Sequence, residues 1–266
     1  MGMRSSIVPE GNFLTLYVAP EDAERADDEL ATYDSENRER PHERDWLRSA
    51  FPPIELAMVY WVVLLFFFAA GRHEAFSLDW IGKGAVQSGL MLKGEWWRAV
   101  TALCLHANGA HLLGNLLFGT VFLLLLAQVT GAGVAGLSIV VAGAVGNVLS
   151  ALVQSPAYTS IGASTAIFGS IGMLVALRQV RQRDQAISTL RKWTPLAGGF
   201  GLLISLGLSG ENTDIIAHIL GFGAGIAAGW LLAKRGRDWA TDRRLQWRCA
   251  GTAGAVVVFA WVAALA

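Results

Sequence analysis

One feature limits the fold of this chain more than any other: from Ala99 to Leu177 there is no Asp, Glu, Lys or Arg. A water-soluble domain would place charges along each exposed helix face, whereas this segment of 79 residues has none. A membrane-spanning helix needs about 20 apolar residues, so the segment holds roughly three spans. With 53% hydrophobic and 16% charged residues, the 266-residue chain is predicted to be an all-α polytopic membrane protein.

Seven apolar segments predict seven transmembrane helices. They run over 54–71, 99–128, 131–153, 164–180, 193–210, 214–233 and 249–266. Basic residues cluster before the first segment, between the fourth and fifth, and between the sixth and seventh. Seven spans place all three clusters on one side, which the positive-inside rule makes cytoplasmic. We therefore expect a multi-pass protein of a cell membrane, the bacterial inner membrane, with a cytoplasmic N-terminus.

Residues 1–50 are predicted to form a separate cytosolic segment. Phe13–Val18 has the pattern of a short strand, and Pro20 with the acidic residues after it is typical of a helix start. Such a small β-α unit is too short for an independent core of any size. No catalytic group stands out in it.

Polar side chains recur near the predicted outer ends of three non-adjacent spans. Ser164 begins the fourth span, His218 lies in the first turn of the sixth, and His111 and Asn115 lie near the start of the second. Burying such groups in lipid costs several kcal/mol unless they find partners. They are therefore expected to face the bundle interior or a water-filled cavity on the outer side, where they mark a candidate site.

These residue types suit nucleophilic catalysis. A serine hydroxyl becomes a good nucleophile when a neutral imidazole takes its proton, which assigns Ser164 as nucleophile and His218 as general base. The N–H groups at a helix start can hold an oxyanion, and His111 and Asn115, four residues apart, share a helix face that would add donors. Small residues allow the close helix approach this needs. They are Gly162, Gly169, Gly172, Gly221 and Gly225.

Four motifs in this order resemble the rhomboid intramembrane serine proteases. In chain order they are Glu95-Trp-Trp-Arg98, His111-x-x-x-Asn115, Gly162-Ala-Ser164 and Ala217-His218-x-x-Gly221-x-x-x-Gly225. The resemblance covers the chain from about residue 54 onward. It implies a rhomboid-like helical bundle, with a six-helix core and its cytosolic linker over 51–248 and one additional C-terminal helix over 249–266.

The resemblance also implies how the site works. It assigns a Ser164–His218 dyad without a third acid, with His111 and Asn115 beside the oxyanion. It further implies a lipid-immersed segment from Arg72 to Trp97, braced by Glu95 and Arg98, with Gly162, Gly221 and Gly225 in structural support. The implied partners are transmembrane segments of other proteins, cut near their outer end, and the lipid bilayer itself.

One position departs from the family pattern, because Thr165 stands where a glycine usually follows the serine. A β-branched residue there would crowd the sixth span or alter the backbone donors. The alternative is therefore a catalytically inactive rhomboid-like protein that binds transmembrane segments without cleavage. A transporter or channel is disfavoured, because no inverted repeat is visible and the polar cluster is shallow rather than central.

Other interpretations of single residues remain open at this stage. His106 and His111 suggest a zinc site, but they lie five apart, off a common helix face, and no carboxylate is near them in sequence. Asp214, four residues before His218, either orients that histidine or solvates a loop. No metal or other cofactor is predicted, and a net charge of zero gives no indication of a nucleic-acid partner.

Overall fold

The computed structural model describes residues 5–10, 13–37, 53–181, 214–234 and 240–266. The chain divides into two compact units, Met1–Trp46 and Leu47–Ala266. The fifth predicted span, 193–210, lies outside the described residues, as do most basic positions of the three predicted cytoplasmic clusters.

The first unit consists of a β-hairpin and a helix. Strand β1 (Ser5–Glu10) pairs antiparallel with β2 (Phe13–Val18), with Ile7 opposite Leu16. A 3-10 turn over Pro20–Asp22 then leads into α1 (Ala23–Asn37). Strand β2 covers the stretch with the strand pattern, while β1 has only Ile7 and Val8 as apolar residues and gave no comparable signal.

The second unit is helical. Its helices are α2 (Pro53–Arg72), α3 (Trp80–Gly84), α4 (Ser88–Met91), α5 (Arg98–Thr101), α6 (Gly109–Thr130), α7 (Ala132–Val153), α8 (Ser164–Arg181), α9 (Ile215–Ala233) and α10 (Arg243–Leu265). Among the described residues, α2, α6, α7, α9 and α10 are long and apolar enough to cross a membrane. Helix α8 has a shorter apolar stretch, Ser164–Val180. The chain is thus a multi-pass helical membrane protein.

Helix α8 lies at the centre of this unit. It packs against α6, α7 and α9, and most of its side chains up to Leu177 are buried. A helix enclosed by other helices meets little lipid, so it can be shorter and less apolar than the helices around it. Its central position brings Ser164, at its first residue, within reach of the neighbouring helix ends.

Two helix starts differ from the predicted segment boundaries. The apolar run 99–128 is not one helix, because α6 begins only at Gly109, where the Asn108 side chain accepts a hydrogen bond from the His111 N–H at 2.9 Å. Helix α10 begins at Arg243, before the predicted residue 249, because the Asp242 carboxylate caps it through the N–H groups of Arg244 and Leu245. Both helices thus begin at a side-chain N-cap rather than at the first residue of the apolar run.

Two short strands join the connecting segments at one end of the bundle. Strand β3 (Val86–Gln87), in the segment between α2 and α6, pairs antiparallel with β4 (Thr159–Ser160), in the loop between α7 and α8. The N–H of Gly162 also donates to the carbonyl of Ala102 at 2.9 Å. These bonds fix the backbone that precedes Ser164 against the segment that precedes α6.

Candidate active site

Ser164 and His218 meet at the N-terminal ends of α8 and α9. The Nε2 atom of His218 lies 2.8 Å from the Oγ atom of Ser164. His218 is 6% exposed, whereas Ser164 is only partly buried. This distance allows direct proton transfer between the hydroxyl and the imidazole.

The two helices approach to backbone contact because glycines line their interface. A Cβ atom at Gly225 would overlap the carbonyl group of Gly169, and one at Gly221 would overlap the carbonyl oxygen of Thr165. Gly172 faces the Phe222 carbonyl in the same way. Larger side chains at these positions would push α9 away from α8 and His218 away from Ser164.

Phe168 orients the imidazole of His218. Its ring centroid lies 4.4 Å from that of His218, with the planes tilted by 36°. The other ring nitrogen of His218, Nδ1, is buried and has no hydrogen-bond partner within the described ranges. Phe168 lies four residues from Ser164 on the same helix, but it was not predicted as a site residue, because its role depends on the contact with His218 of another helix.

Asp214 caps the helix that carries His218. Its Oδ1 atom accepts a hydrogen bond from the Ala217 N–H at 3.0 Å, and its other oxygen, Oδ2, is buried. Burial raises the pKa of this carboxyl, although the bond from Ala217 acts in the opposite direction. Neither role weighed from the sequence describes this arrangement, since an N-cap fixes the start of α9 rather than the imidazole directly.

His111 lies beside Ser164, with Gly162 as its neighbour. A Cβ atom at Gly162 would lie 2.7 Å from Nε2 of His111 and 3.7 Å from Oγ of Ser164. Gly162 also has φ +135°, a conformation that side-chain-bearing residues rarely adopt. Both observations require glycine here. Because residue 162 has no side chain, the His111 ring and the Ser164 hydroxyl can both lie close to its backbone.

Asn115 is buried but engaged elsewhere. Its Nδ2 atom donates to the backbone carbonyl of His111 at 2.9 Å, and the backbone carbonyl of Asn115 accepts a hydrogen bond from the Tyr60 hydroxyl at 2.8 Å. The His111 ring and the Ser164 hydroxyl thus both approach Gly162, while the amide of Asn115 bonds within α6. Tyr60, which gave no sequence signal, fixes α2 to this turn of α6.

Glu95 and Arg98 organise the segment between α2 and α6. Arg98, 5% exposed, pairs through Nε with the Glu95 carboxylate at 2.6 Å. Its Nη1 atom donates to the carbonyls of Gly82 and Ala85, each at 2.8 Å. The Thr101 hydroxyl donates to the carbonyl of Gly84 at 2.7 Å. Three carbonyls at the end of α3 thus find donors away from water.

Thr165 is accommodated by glycines on two sides. Its Cγ2 atom lies 2.7 Å from the place a Cβ would take at Gly146 of α7, and 2.9 Å from that place at Gly221 of α9. The Ser164–His218 contact is formed with this methyl group in position. Gly146 was not singled out from the sequence, because only the packing of α7 against α8 gives it a role.

His106 packs against His111 before α6 begins. The ring centroids lie 5.1 Å apart with the planes at 66°, and His106 is 4% exposed. This edge-to-face contact fixes the His111 ring relative to the buried segment that precedes α6.

Comparison with known proteins gives a consistent set of matches. A family model described as the rhomboid domain matches residues 93–235. YdcA, a candidate rhomboid protease of Bacillus subtilis, is 29% identical over 188 residues, which is 70% of this chain and 90% of YdcA. The rhomboid protease GluP of Bacillus subtilis is 36% identical over 152 residues, which is 54% of this chain and 28% of GluP.

A eukaryotic relative matches over a similar stretch. Rhomboid-like protease 3 of Toxoplasma gondii is 34% identical over 144 residues, which is 54% of each chain. The chain therefore spans most of YdcA, but about half or less of the other two proteins.

Proposed function

This chain belongs to the rhomboid family, and from this premise we propose that it is an intramembrane serine endopeptidase that cleaves transmembrane segments of other proteins near their outer end. Its named relatives include rhomboid proteases, which supports protease chemistry in a membrane. The observation that carries the proposal is the distance of 2.8 Å between Nε2 of His218 and Oγ of Ser164.

The proposed reaction proceeds through an acyl-enzyme. As Ser164 Oγ attacks the carbonyl carbon of the scissile peptide bond, Nε2 of His218 accepts the hydroxyl proton. The proton then passes to the leaving amine as the C–N bond breaks. A water molecule, deprotonated by the same imidazole, attacks the acyl carbon, and the proton returns to Ser164 Oγ as the ester bond breaks and the acyl product leaves. Phe168 keeps the imidazole in place through both halves of the reaction, and the Asp214 cap fixes the start of the helix that carries it.

The negative charge on the carbonyl oxygen needs donors beside Ser164. The first backbone bonds of α8 run from the N–H groups of Ala166 and Ile167 to the Ala163 carbonyl, so we propose the N–H groups of Ser164 and Thr165 as donors, together with the His111 ring, which approaches Gly162 as the Ser164 hydroxyl does. The Asn115 amide uses one of its two N–H donors on the His111 carbonyl, and we assign the second to the oxyanion in the transition state. Removing one such donor typically costs about 100-fold or more in turnover.

The proposal includes an orientation in the membrane. Arg243, Arg244 and Arg248 are exposed at the start of α10, which supports a cytoplasmic location for that helix end. The site then opens on the outer side of a cell membrane, with the N-terminal unit in the cytoplasm. Lipid and transmembrane substrates are its proposed partners, and a bacterial inner membrane is its proposed location.

The competing proposal is a rhomboid-like protein that binds transmembrane segments without cutting them. Thr165 is the observation in its favour, because it replaces the usual glycine next to the nucleophile. The packing of its methyl group against Gly146 and Gly221 weakens that objection. Activity of the serine separates the two proposals.

Covalent labelling with a fluorophosphonate probe in native membranes tests the proposal. We expect the parent chain to be labelled, and labelling to be lost in Ser164→Ala and His218→Ala. Ser170→Ala is a matched control, because this buried hydroxyl lies on the same helix and, among the described residues, bonds the carbonyl of Ile167 in its own helix at 2.7 Å. A well-folded parent chain without labelling would contradict the enzyme proposal and favour the non-cleaving binder.

A further inference from the structure

The C-terminal helix packs an indole ring against the segment between α2 and α6. Trp261 of α10 is 5% exposed and stacks on Phe67 of α2, with centroids 4.4 Å apart and planes at 13°. It also contacts Trp80 of α3 at 5.3 Å. One buried cluster contains all three aromatic rings together with Cys104 and Leu105.

The same cluster reaches the two backbone segments that flank the catalytic residues. Leu105, which precedes His106, is 1% exposed within it, and Ile161, which precedes Gly162, packs against it. His106 in turn contacts His111, and Gly162 lies against the His111 ring. Trp261 is therefore one residue layer away from the groups that surround Ser164.

The fit around Trp261 is steric and tight. A Cβ atom at Gly84 would lie 2.6 Å from Cη2 of Trp261 and 3.0 Å from Cδ1 of Leu105. Thr101 holds the carbonyl of Gly84 from the other side, at 2.7 Å. The indole and the hydroxyl thus confine the end of α3 between them.

The opposite end of α10 is anchored independently. Gln246, 1% exposed, accepts hydrogen bonds through Oε1 from the N–H groups of Gly133 and Val134, at 2.8 and 3.1 Å. Its Nε2 atom donates to the carbonyl of Thr130 at 3.0 Å. One amide thereby serves both the end of α6 and the start of α7, so α10 cannot slide along the bundle.

The geometry points to Trp261 as a positioning residue for the active site: it fixes the segment before α6 and the backbone before Ser164 in their relative positions. The C-terminal helix is then a working part of the site rather than an accessory span. The expected effect on the active site rests on the proposed function, because it presupposes that Ser164 is reactive. The structural half of the inference concerns packing alone and is tested separately.

The experiment uses the full chain with Cys249→Ser, so that Cys104 is the remaining thiol. Two rates are measured in membranes: fluorophosphonate labelling of Ser164, and alkylation of Cys104, 4% exposed beneath Trp261, by N-ethylmaleimide. For Trp261→Ala we expect labelling to slow about tenfold, because misplaced reacting groups lose rate steeply. We expect alkylation of Cys104 to become about tenfold faster through local opening.

A control and a rescue make the test specific. Phe259→Ala removes an aromatic ring from the same helix at a site 67% exposed, and both rates should stay within about twofold of the parent. Gly84→Ala should slow labelling by pressing on the indole, and adding Trp261→Phe should restore it, because the smaller ring leaves room for the new methyl group. The rescue pair also decides the question if Trp261→Ala fails to fold.

The outcomes separate this inference from the proposed function. Parental rates of both reactions in Trp261→Ala, or no rescue of Gly84→Ala by Trp261→Phe, would overturn the positioning role. If the parent chain shows no labelling, the enzyme proposal fails. Faster alkylation of Cys104 in Trp261→Ala, but not in Phe259→Ala, would still support the packing role in that case.

Discussion

Thr165 shows how a single methyl group next to the nucleophile depends on residues from two other helices. The side chain is 4% exposed, and its Cγ2 atom occupies space left by the missing side chains of Gly146 and Gly221. The residue that differs from the family pattern is thus matched by glycine on α7, which the sequence pattern around Ser164 does not reveal. The contact between Thr165 and Gly146 leads to a prediction about a single methyl group.

Gly146→Ala should greatly reduce activity, because its new methyl group meets both Thr165 and the backbone of Gly221 and forces α9 away from α8. Overpacking of this kind costs about 1–3 kcal/mol, enough to slow Ser164 labelling by roughly tenfold or more. Thr165→Gly should retain labelling, and combined with Gly146→Ala it should recover part of the loss, because the contact of the new methyl group with the Gly221 backbone remains. The measurement is the rate of fluorophosphonate labelling for the four chains of this cycle.

Equal losses in Gly146→Ala with and without Thr165→Gly would show that the two side chains do not compete for one space. A chain that gains activity from Thr165→Gly alone would instead mean that the threonine restrains the site.

The residue scale also shows which parts of the site the sequence could predict. Ser164, His218 and His111 stood out because polar groups at one depth of a membrane protein are rare and need a reason. Phe168, Tyr60 and Gly146 did not, since an aromatic ring or a glycine in an apolar helix is ordinary by composition. Their roles arise only from contacts between helices far apart in sequence.

At the scale of elements, the α8–α9 pair carries the site. Gly225 lies directly against Gly169, whereas Gly223, on the same helix, has no atom of the described residues within 4 Å of its Cβ position. Gly225 and Gly223 are therefore a matched pair. Replacement by alanine favours the helix by about 1 kcal/mol at either site, so the two sites differ only in the contacts that the new methyl group would make.

We predict that Gly225→Ala abolishes Ser164 labelling and that Gly223→Ala leaves it within about twofold of the parent. The added methyl group at 225 would separate the helix backbones and break the Ser164–His218 hydrogen bond, while the one at 223 meets no atom of the part of the chain that the structure describes. Labelling and thermal unfolding in detergent are measured for both variants. Similar behaviour of the two variants would show that helix propensity, not close approach, governs this interface.

The elements themselves were predictable to different degrees. Long apolar helices follow from hydropathy, as α2, α7 and α9 show, because lipid contact demands uninterrupted apolar sequence. The stretch from Arg72 to Trp97 was predicted only as an embedded segment braced by Glu95 and Arg98, and residues 99–108 were predicted as part of the second span. The short helices of this region, the strand β3 and the bonds from Arg98 depend on residues of α3, β4 and α10, and no local pattern encodes such distant partners.

At the scale of the whole molecule, the distribution of charge is the feature with the widest consequence. The net charge is zero, yet the basic residues gather at the loops predicted to be cytoplasmic, and the region around the site is free of them between Arg98 and Arg178. An excess of Lys and Arg in cytoplasmic loops sets the orientation of membrane proteins. The resulting orientation decides from which side a substrate is reached.

Single cysteines test this orientation in intact cells, in a chain with Cys249→Ser whose Cys104 is buried. Ala157→Cys lies exposed in the loop before Ser164, and Thr241→Cys lies exposed at the start of α10, at the opposite end of the bundle. A membrane-impermeant maleimide should label residue 157 in intact cells and residue 241 only after the membrane is permeabilised. The reverse pattern would place the active site on the cytoplasmic side, where Ser164 would meet the inner rather than the outer ends of transmembrane substrates. Equal labelling of both positions in intact cells would mean that the chain inserts in both orientations, and that its basic loops do not determine one.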